Sequence, residues 1–278
     1  MRGRLARKRT KDGQSTPPLS TKQNPKKDLP MTKILLEIAY DGAAFSGYQV
    51  QPNRRTVQGE LGRVVEQVLG QPCNVSGCGR TDKGVHARQF FCSVETENPI
   101  TIPLDALPKV LNAFVPGDIA VKNAVQIDDD FHVRYSVKWK EYGYMIHNAP
   151  APCPFYNGRA WHISRHLDLS LMQAAAEEIV GTHDFSAFCA AGSFVENKVR
   201  RVRYIRCESE GEMLHIRVAG DGFLYNMVRI ITGTLVEVSD GKIAPGDIAG
   251  IIADGDRTRA GMTAPPDGLY LNFVRYEG

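Results

Sequence analysis

Long apolar runs are missing from this sequence of 278 residues. No stretch approaches the ~18 consecutive apolar residues that a membrane-spanning helix needs, and the first thirty residues lack the apolar centre of a secretory signal. Hydrophobic residues make up 42% of the chain and charged residues 23%, which is ordinary for a globular protein. The composition therefore argues against membrane-spanning, fibrous and wholly disordered classes.

Cysteines are few and scattered, and none belongs to a C-x-x-C pair: Cys73, Cys78, Cys92, Cys153, Cys189 and Cys207. A zinc ribbon would need paired short spacings, and a disulfide scaffold a shorter and denser chain. His162 and His166 are four residues apart, but residues 161–163 read as a strand and a third ligand is missing nearby. We therefore expect reduced cysteines in a cytoplasmic protein without a metal site.

An excess of positive charge is confined to the N-terminus. Residues 1–31 carry nine basic and two acidic side chains, a net charge of +7, although the whole chain has only +3. The remaining residues hold 25 basic and 29 acidic side chains, a net charge of −4. Because residues 1–31 offer almost nothing to bury, we predict a disordered basic extension that grips phosphates, solubilises the chain, or precedes a true start at Met31. Net charge alone does not indicate a nucleic-acid partner.

Regular hydrophobic patterns begin after residue 31. Alternation predicts strands at about 33–40, 89–94, 119–127, 135–147, 199–208, 213–219 and 269–276, whereas helical spacing predicts helices at about 57–69, 103–114, 170–180, 224–235 and after Pro245. Ser170 and Gln173 have the spacing of a capping box. Strands and helices mix without strict alternation, which favours an α+β fold with antiparallel sheet. The coarse order recurs, which predicts two similar halves, residues 32–140 and 141–278.

The most informative segment is the glycine-rich stretch 77–88. Arg80, Asp82, Lys83 and His86 fall within seven residues between two apolar segments. A P-loop is excluded because its spacing is absent, and a dinucleotide fingerprint because no helix pattern begins at the glycines. A structural turn in which Asp82 caps its own backbone stays open at this point.

The segment G-R-T-D-K-G-V-H-A at 79–87 resembles the signature of the tRNA pseudouridine synthase TruA family. Further stretches match this family in order: D-G at 41–42, G-Y-Q-V-Q at 47–51, P-G-D-I at 116–119, F-H-V-R at 131–134, K-E-Y-G-Y at 140–144, F-S-A-F at 185–188, F-L-Y-N-M-V-R at 223–229, T-A-P at 263–265 and G-L-Y-L at 268–271. The resemblance covers residues 32–277. Glu141 and Gly143 depart from it, because basic and bulkier residues are common there in the family.

The resemblance implies a pseudouridine synthase fold: two α+β halves, with mostly antiparallel sheets flanked by helices, around a central RNA-binding cleft. It implies an isomerase that converts uridine to pseudouridine at positions 38, 39 and 40 of the tRNA anticodon stem–loop. It also implies that the enzyme needs neither a metal nor an organic cofactor. The family works as a homodimer with tRNA lying across both subunits.

Residue roles follow from the same resemblance. Asp82, in a catalytic loop at 77–88, corresponds to the catalytic aspartate, which acts as nucleophile or base. Arg229 corresponds to the arginine that pairs with this aspartate. Tyr142 matches the tyrosine that stacks on the target base, and Arg80 the residue that contacts RNA and helps to hold the flipped nucleotide out.

Two other functions stay open from the sequence. One is a non-catalytic RNA-binding or RNA-folding protein on the same scaffold, although binding alone does not need the carboxylate of Asp82. The other is a pseudouridine synthase that acts on a different RNA. Basic residues crowded at 198–206 favour phosphate contact, whereas the ordinary alternative is a solvated charged face.

Overall fold

The computed structural model describes residues 32–193 and 195–277. The basic extension predicted at residues 1–31 lies outside the described residues. Within the described ranges the helices are α1 (Val57–Leu69), α2 (Leu107–Asn112), α3 (Leu169–Ile179), α4 (Met227–Ser239) and α5 (Ile248–Asp254). The strands are β1 (Lys33–Tyr40), β2 (Cys73–Gly77), β3 (His86–Thr96), β4 (Ile119–Gln126), β5 (Trp139–Asn148), β6 (Trp161–Ile163), β7 (Gly181–Asp184), β8 (Val199–Glu210), β9 (Met213–Gly220) and β10 (Leu269–Arg275).

All ten strands of the described ranges belong to one sheet. Its main path runs β4-β1-β3-β10-β5-β9-β8-β7, with β2 paired to β3 and β6 paired to β5. The pairs β10–β3 and β5–β6 are parallel and the others are antiparallel. This mostly antiparallel sheet flanked by helices confirms the predicted α+β class. The division at residues 140 and 141 stays a prediction.

The last strand of the chain occupies the centre of the sheet. β10 lies between β3 and β5, with Leu271 opposite both Ala87 and Tyr142. The strand that follows the glycine-rich loop is thereby joined to the strand that carries Tyr142. The chain end therefore brings together two segments that are far apart in sequence.

The apolar core is packed between the sheet and helices α3, α4 and α5. Because side chains alternate along a strand, Tyr144 and Ile146 of β5 and Ile216 of β9 project to one face and are fully buried there. Ile231 of α4 is fully buried in the same cluster. Burial of such side chains contributes about 1.5–3 kcal/mol each, so this core holds the central strands rigidly against the helices.

Helix α1 shows how local sequence sets the bounds of an element. The Thr56 hydroxyl accepts a bond from the Gly59 N–H at its start, and Gly70 adopts the left-handed conformation at its end. Between them, Val57, Leu61, Val64 and Val65 are buried, as their helical spacing predicts. The bounds and the buried face are those expected from sequence.

Two predicted elements are shorter than expected. The strand expected from residue 135 begins at Trp139, because the imidazole of His132 accepts bonds from the N–H groups of Arg134 and Tyr135 and holds the chain in a turn. The helix expected at 103–114 covers only Leu107–Asn112. At the first place side-chain hydrogen bonds compete with the strand, whereas at the second the residues on either side of the helix form backbone turns.

The two later helices also begin differently from the prediction. The capping box at Ser170 and Gln173 is wrong: the carboxylate of Asp168 caps α3 by accepting bonds from the N–H groups of Ser170 and Leu171. Helix α4 begins at Met227 rather than at Leu224, because Asn226 has a left-handed backbone with φ 59°. This second difference bears directly on the site described next.

Candidate active site

The glycine-rich loop connects β2 to β3. It is closed by a turn in which the Val85 N–H donates to the Asp82 carbonyl oxygen at 3.1 Å. Gly84 has φ +81°, a conformation that glycine adopts without steric cost. The loop therefore presents Asp82 at the tip of a tight, hydrogen-bonded turn.

The segment at 41–51 packs directly against this loop. The Tyr48 N–H donates to the Thr81 carbonyl oxygen at 3.1 Å, and the hydroxyls of Tyr40 and Thr81 lie 2.8 Å apart. Gly47, with φ +95°, lies so close that a Cβ atom there would be 2.7 Å from the Thr81 oxygen. Two motifs separated by about thirty residues thus form one unit, in which the first fixes the backbone of the second.

His86 holds the other end of the loop. It is 2% exposed, its Nδ1 lies 3.0 Å from the Gly42 N–H, and its Nε2 lies 3.1 Å from the Asp267 carbonyl oxygen. Burial lowers the pKa of His86, opposed by the charge of Asp41. A neutral ring that accepts from Gly42 and donates to Asp267 satisfies both contacts, so His86 ties the loop to two other segments.

Asp82 is half-buried at the tip of the turn. Burial raises its pKa, because the charged carboxylate loses solvation, and the positive charge of Arg229 acts in the opposite direction. A carboxylate in this setting is a stronger base than an exposed aspartate. It is also less well solvated, which favours its use as a nucleophile.

Arg229 influences Asp82 through space. In the described part of the chain no ion pair within 4.0 Å joins them, so the predicted direct pairing is not formed in this structure. The guanidinium instead donates from Nε to the Ala264 carbonyl oxygen at 2.7 Å and from Nη1 to Asn226 Oδ1 at 2.8 Å. These two bonds hold the cation on α4, beside the carboxylate but apart from it.

Tyr142 borders the same site from β5. It is half-buried, and its ring meets the Phe223 ring edge-on with centroids 5.2 Å apart. Burial raises the pKa of Tyr142, and the nearby Cys78 and Asp82 act in the same direction. The phenol therefore stays protonated at neutral pH.

Tyr144, two residues further on the same face, is fully buried and donates to the Pro265 carbonyl oxygen at 2.7 Å, which fits a role in the core.

Arg80 lies on the solvent side of the loop. Its side chain is exposed, as is that of Lys83. Across the described residues the Arg80 guanidinium has no hydrogen-bond or ion-pair partner, so it is available to a ligand at the mouth of the site. Electrostatic interactions link Asp82 to Arg229 and to Tyr142, so these three side chains lie near one another, and Arg80 is exposed two residues before Asp82 on the same loop.

The basic run at 198–206 divides along β8. Val202 and Ile205 face the core, whereas Arg203 and Arg206 are exposed and lie over the rings of Trp139 and Tyr204. Arg200 lies beside Gly222, next to the segment that carries Phe223. The backbone of Arg201 contacts the same segment, because the Asp221 N–H donates to the Arg201 carbonyl oxygen at 3.2 Å.

Comparison with known proteins agrees with the geometry. The sequence model of the family described as "tRNA pseudouridine synthase" matches residues 38–136 and 175–277. The tRNA pseudouridine synthase A of Halalkalibacterium halodurans is 45% identical over 240 residues, which cover 86% of this chain and 90% of that protein. The proteins of the same name from Caldicellulosiruptor bescii and Brevibacillus brevis are 42% and 44% identical, and in each case 88% of this chain and 100% of the other are covered.

This chain belongs to the tRNA pseudouridine synthase family. The family resemblance of the sequence is thereby confirmed. A chain of a solved Cbf5-Nop10-Gar1 complex also matches, with 13% identity, a TM-score of 0.32 and coverage of 85% of this chain and 57% of that one, a likeness too distant to bear on function.

Both departures from the family pattern have a structural reason. The Glu141 carboxylate is buried on the sheet face opposite Tyr142, where it accepts bonds from the Tyr204 hydroxyl and from Asn272 Nδ2. A Cβ atom at Gly143 would lie 2.6 Å from that same Asn272 nitrogen. Glu141 and Gly143 therefore fit a local network with Asn272 on the sheet face away from Tyr142.

Sequence reasoning missed two residues of this pseudouridine synthase site. The Lys140 ammonium donates to the Cys78 carbonyl oxygen at 2.7 Å, and burial lowers its pKa. Asn226 holds the Arg229 guanidinium. Both lie inside recognised motifs, so the signal was present; the partner of Lys140 is distant in sequence, whereas that of Asn226 is three residues away.

The described residues provide no candidate site for a metal ion. They contain no group of three or more histidine, cysteine, aspartate or glutamate side chains placed to hold one. Likewise, none of the helices in the described ranges has both the length and the apolar character needed to cross a membrane.

Proposed function

We propose that this protein converts uridine to pseudouridine at positions 38, 39 and 40 of the tRNA anticodon stem–loop, with Asp82 as catalytic nucleophile or base. The observation that carries the proposal is family membership across most of the chain, together with the half-buried carboxylate of Asp82 beside a fixed cation. The reaction breaks the bond between C1′ and N1, turns the uracil and joins C1′ to C5. The C5 proton leaves and N1 gains one, so the balance is that of an isomerisation.

Each chemical route needs an ionised carboxylate at the reacting nucleotide. Burial makes Asp82 reactive, and the charge of Arg229 opposes its protonation. The tight turn at Val85 and the contact with Gly47 fix the backbone that carries this carboxylate. Positioning of this kind supports catalysis because the reacting groups then need little reorganisation.

The target base must leave its stack before Asp82 can reach it, which costs a few kcal/mol. The Tyr142 ring, braced edge-on by Phe223, offers a flat surface on which the flipped uracil stacks, worth about 1–3 kcal/mol. The exposed guanidinium of Arg80 contacts the RNA backbone and helps to hold the nucleotide out. No metal or organic cofactor is part of this proposal.

We further propose that the protein acts in the cytoplasm as a homodimer, with tRNA lying across both subunits. The body of the chain has a net charge of −4, so phosphate contacts must come from local basic groups such as Arg80 and Arg200. Two subunits would present two such groups of cations to one tRNA. The oligomeric state is measurable by light scattering with and without tRNA.

The function is tested with an unmodified tRNA that carries uridines at positions 38–40. After incubation with wild-type protein or with Asp82→Asn, pseudouridine is mapped by position. Product with the wild type alone supports the proposal. Equal activity of both proteins would show that Asp82 is not the catalytic residue. Tight binding of tRNA without product would favour an RNA-binding protein. Product found only in another RNA would replace tRNA as the proposed substrate.

A further inference from the structure

Asn226 has a left-handed backbone conformation. It is one of two non-glycine residues with positive φ in the described ranges, at φ 59°, the other being Asn53 at φ 56°. Left-handed backbone costs a residue with a Cβ atom free energy that glycine avoids. Asparagine tolerates this conformation better than other residues that have a Cβ atom, so the use of its side chain is indicated by its contact with Arg229 and not by its backbone.

That use is not helix capping. Asparagine at the first position of a helix normally accepts a bond from a backbone N–H of the first turn. Asn226 precedes α4 but makes no side-chain capping bond. Its Oδ1 accepts instead from Nη1 of Arg229, one helical turn further on, at 2.8 Å.

A second hydrogen bond fixes the guanidinium of Arg229. Nε of Arg229 donates to the carbonyl oxygen of Ala264, which is fully buried, and the Ala264 N–H donates back to the Arg229 carbonyl oxygen at 3.1 Å. Two bonds at different nitrogens of a planar group fix both its position and its plane. Within the described residues Nη2 has no partner and stays available to the site.

We propose that Asn226 is a positioning residue of this enzyme: it fixes the plane of the Arg229 guanidinium and so sets the direction from which this cation acts on Asp82. The inference rests on the proposed function, because its effect is measured in the uridine isomerisation. Asn226 itself touches neither the carboxylate nor the uridine. It acts through Arg229 alone.

The test is a double-mutant cycle on unmodified tRNA, with single-turnover rates measured for the wild type, Asn226→Gly, Arg229→Gln and the double variant. Glycine accepts φ 59° without strain, so Asn226→Gly removes the side-chain bond and leaves the turn. Without this bond the guanidinium is free to turn away from Asp82, so we expect a loss of roughly tenfold or more in rate with tRNA affinity within about twofold. In the Arg229→Gln background the same change should cost nothing further.

Asn53→Gly is the matched control, because it replaces the other left-handed asparagine at an exposed position. It should leave the rate unchanged. Three results would overturn the inference. Asn226→Gly could react at the wild-type rate, or the two losses could multiply in the double variant. The third is a melting temperature of Asn226→Gly well below that of the wild type. Absence of product from the wild-type protein would overturn the proposed function as well, which distinguishes the two failures.

Discussion

Gly47 and Thr81 touch backbone to backbone: a Cβ atom on Gly47 would lie 2.7 Å from the carbonyl oxygen of Thr81, next to the proposed catalytic aspartate. The contact ties the segment that ends β1 to the loop that precedes β3. Because it leaves no space for a methyl group, the geometry of the site depends on a residue that carries no functional group.

Gly47→Ala should therefore displace the loop and slow the reaction. Both the φ of +95° and the contact with Thr81 oppose a side chain, and strain of this kind costs about 1–3 kcal/mol. We expect a lower melting temperature and at least a tenfold lower single-turnover rate on tRNA. Gly246→Ala is the control, because nothing lies within 4 Å of the added methyl group and stability and rate should be unchanged. A normal rate in Gly47→Ala would contradict the proposed dependence on this contact.

Asp82→Asn should abolish turnover and yet stabilise the folded protein at neutral pH. Since burial raises the pKa of Asp82, the folded state binds this proton more tightly than the unfolded state. The contribution of Asp82 to stability thus falls as pH rises from the unfolded pKa, near 4, through the folded pKa. The amide variant has no such loss, so its melting temperature should exceed that of the wild type at pH 7–8, with a smaller gap toward pH 4.

Asp130→Asn is the comparison for this experiment, since Asp130 is exposed. Its melting temperature should follow that of the wild type at every pH. A lower melting temperature for Asp82→Asn at pH 8 would show that the ionised carboxylate is well accommodated and would contradict the argument from burial.

Arg229→Gln should move the acid limb of the rate profile to higher pH. The reaction needs ionised Asp82, and the charge of Arg229 lowers the pKa of that carboxyl. Without this charge the carboxyl takes up a proton at a higher pH, so activity is lost earlier on acidification. Single-turnover rates between pH 5 and 8 check this. Arg63→Gln, on the exposed side of α1, should keep the wild-type profile, and an unmoved limb in Arg229→Gln would contradict the coupling.

Tyr142→Phe and Tyr142→Ala should separate the ring from the hydroxyl. Burial keeps the phenol protonated, and stacking needs only the ring, so Tyr142→Phe should stay within about threefold of the wild-type rate. Tyr142→Ala removes the stacking surface, worth about 1–3 kcal/mol, so we expect a loss of about 5- to 150-fold. Equal losses in both variants would assign the role to the hydroxyl. Melting curves of both report on their packing against Phe223.

Much of the fold follows from periodicity that is local in sequence. The helix at 57–69 is predicted because its apolar residues recur at helical spacing and the pattern stops at Gly70 and Pro72. The strands β2 and β7 were not predicted, since each has at most five residues and little alternation. Their pairing with β3 and β8 decides their structure, and pairing partners lie elsewhere in the chain.

The residues of the site also differ in how far the sequence alone predicts them. The motif around Asp82 is contiguous, so the proposed catalytic residue can be identified from sequence. The contact of Lys140 with Cys78 joins residues 62 positions apart in the chain, so spacing alone does not predict it. The contact of Asn226 with Arg229 spans only three residues, but it depends on the left-handed backbone that starts α4 at Met227 rather than at Leu224. The direct ion pair expected between Asp82 and Arg229 depends on distances of a few ångströms that no spacing encodes.

The sequence by itself determined the α+β class, the family and the candidate carboxylate, because each depends on residues close together in the chain. Tertiary structure alone decided how that carboxylate behaves. Its half-burial, its separation from Arg229 and the backing of its loop by Gly47 arise where β3, β5, β10 and α4 meet. Solvation and Coulomb interactions depend on distance in space, and only the folded chain sets those distances.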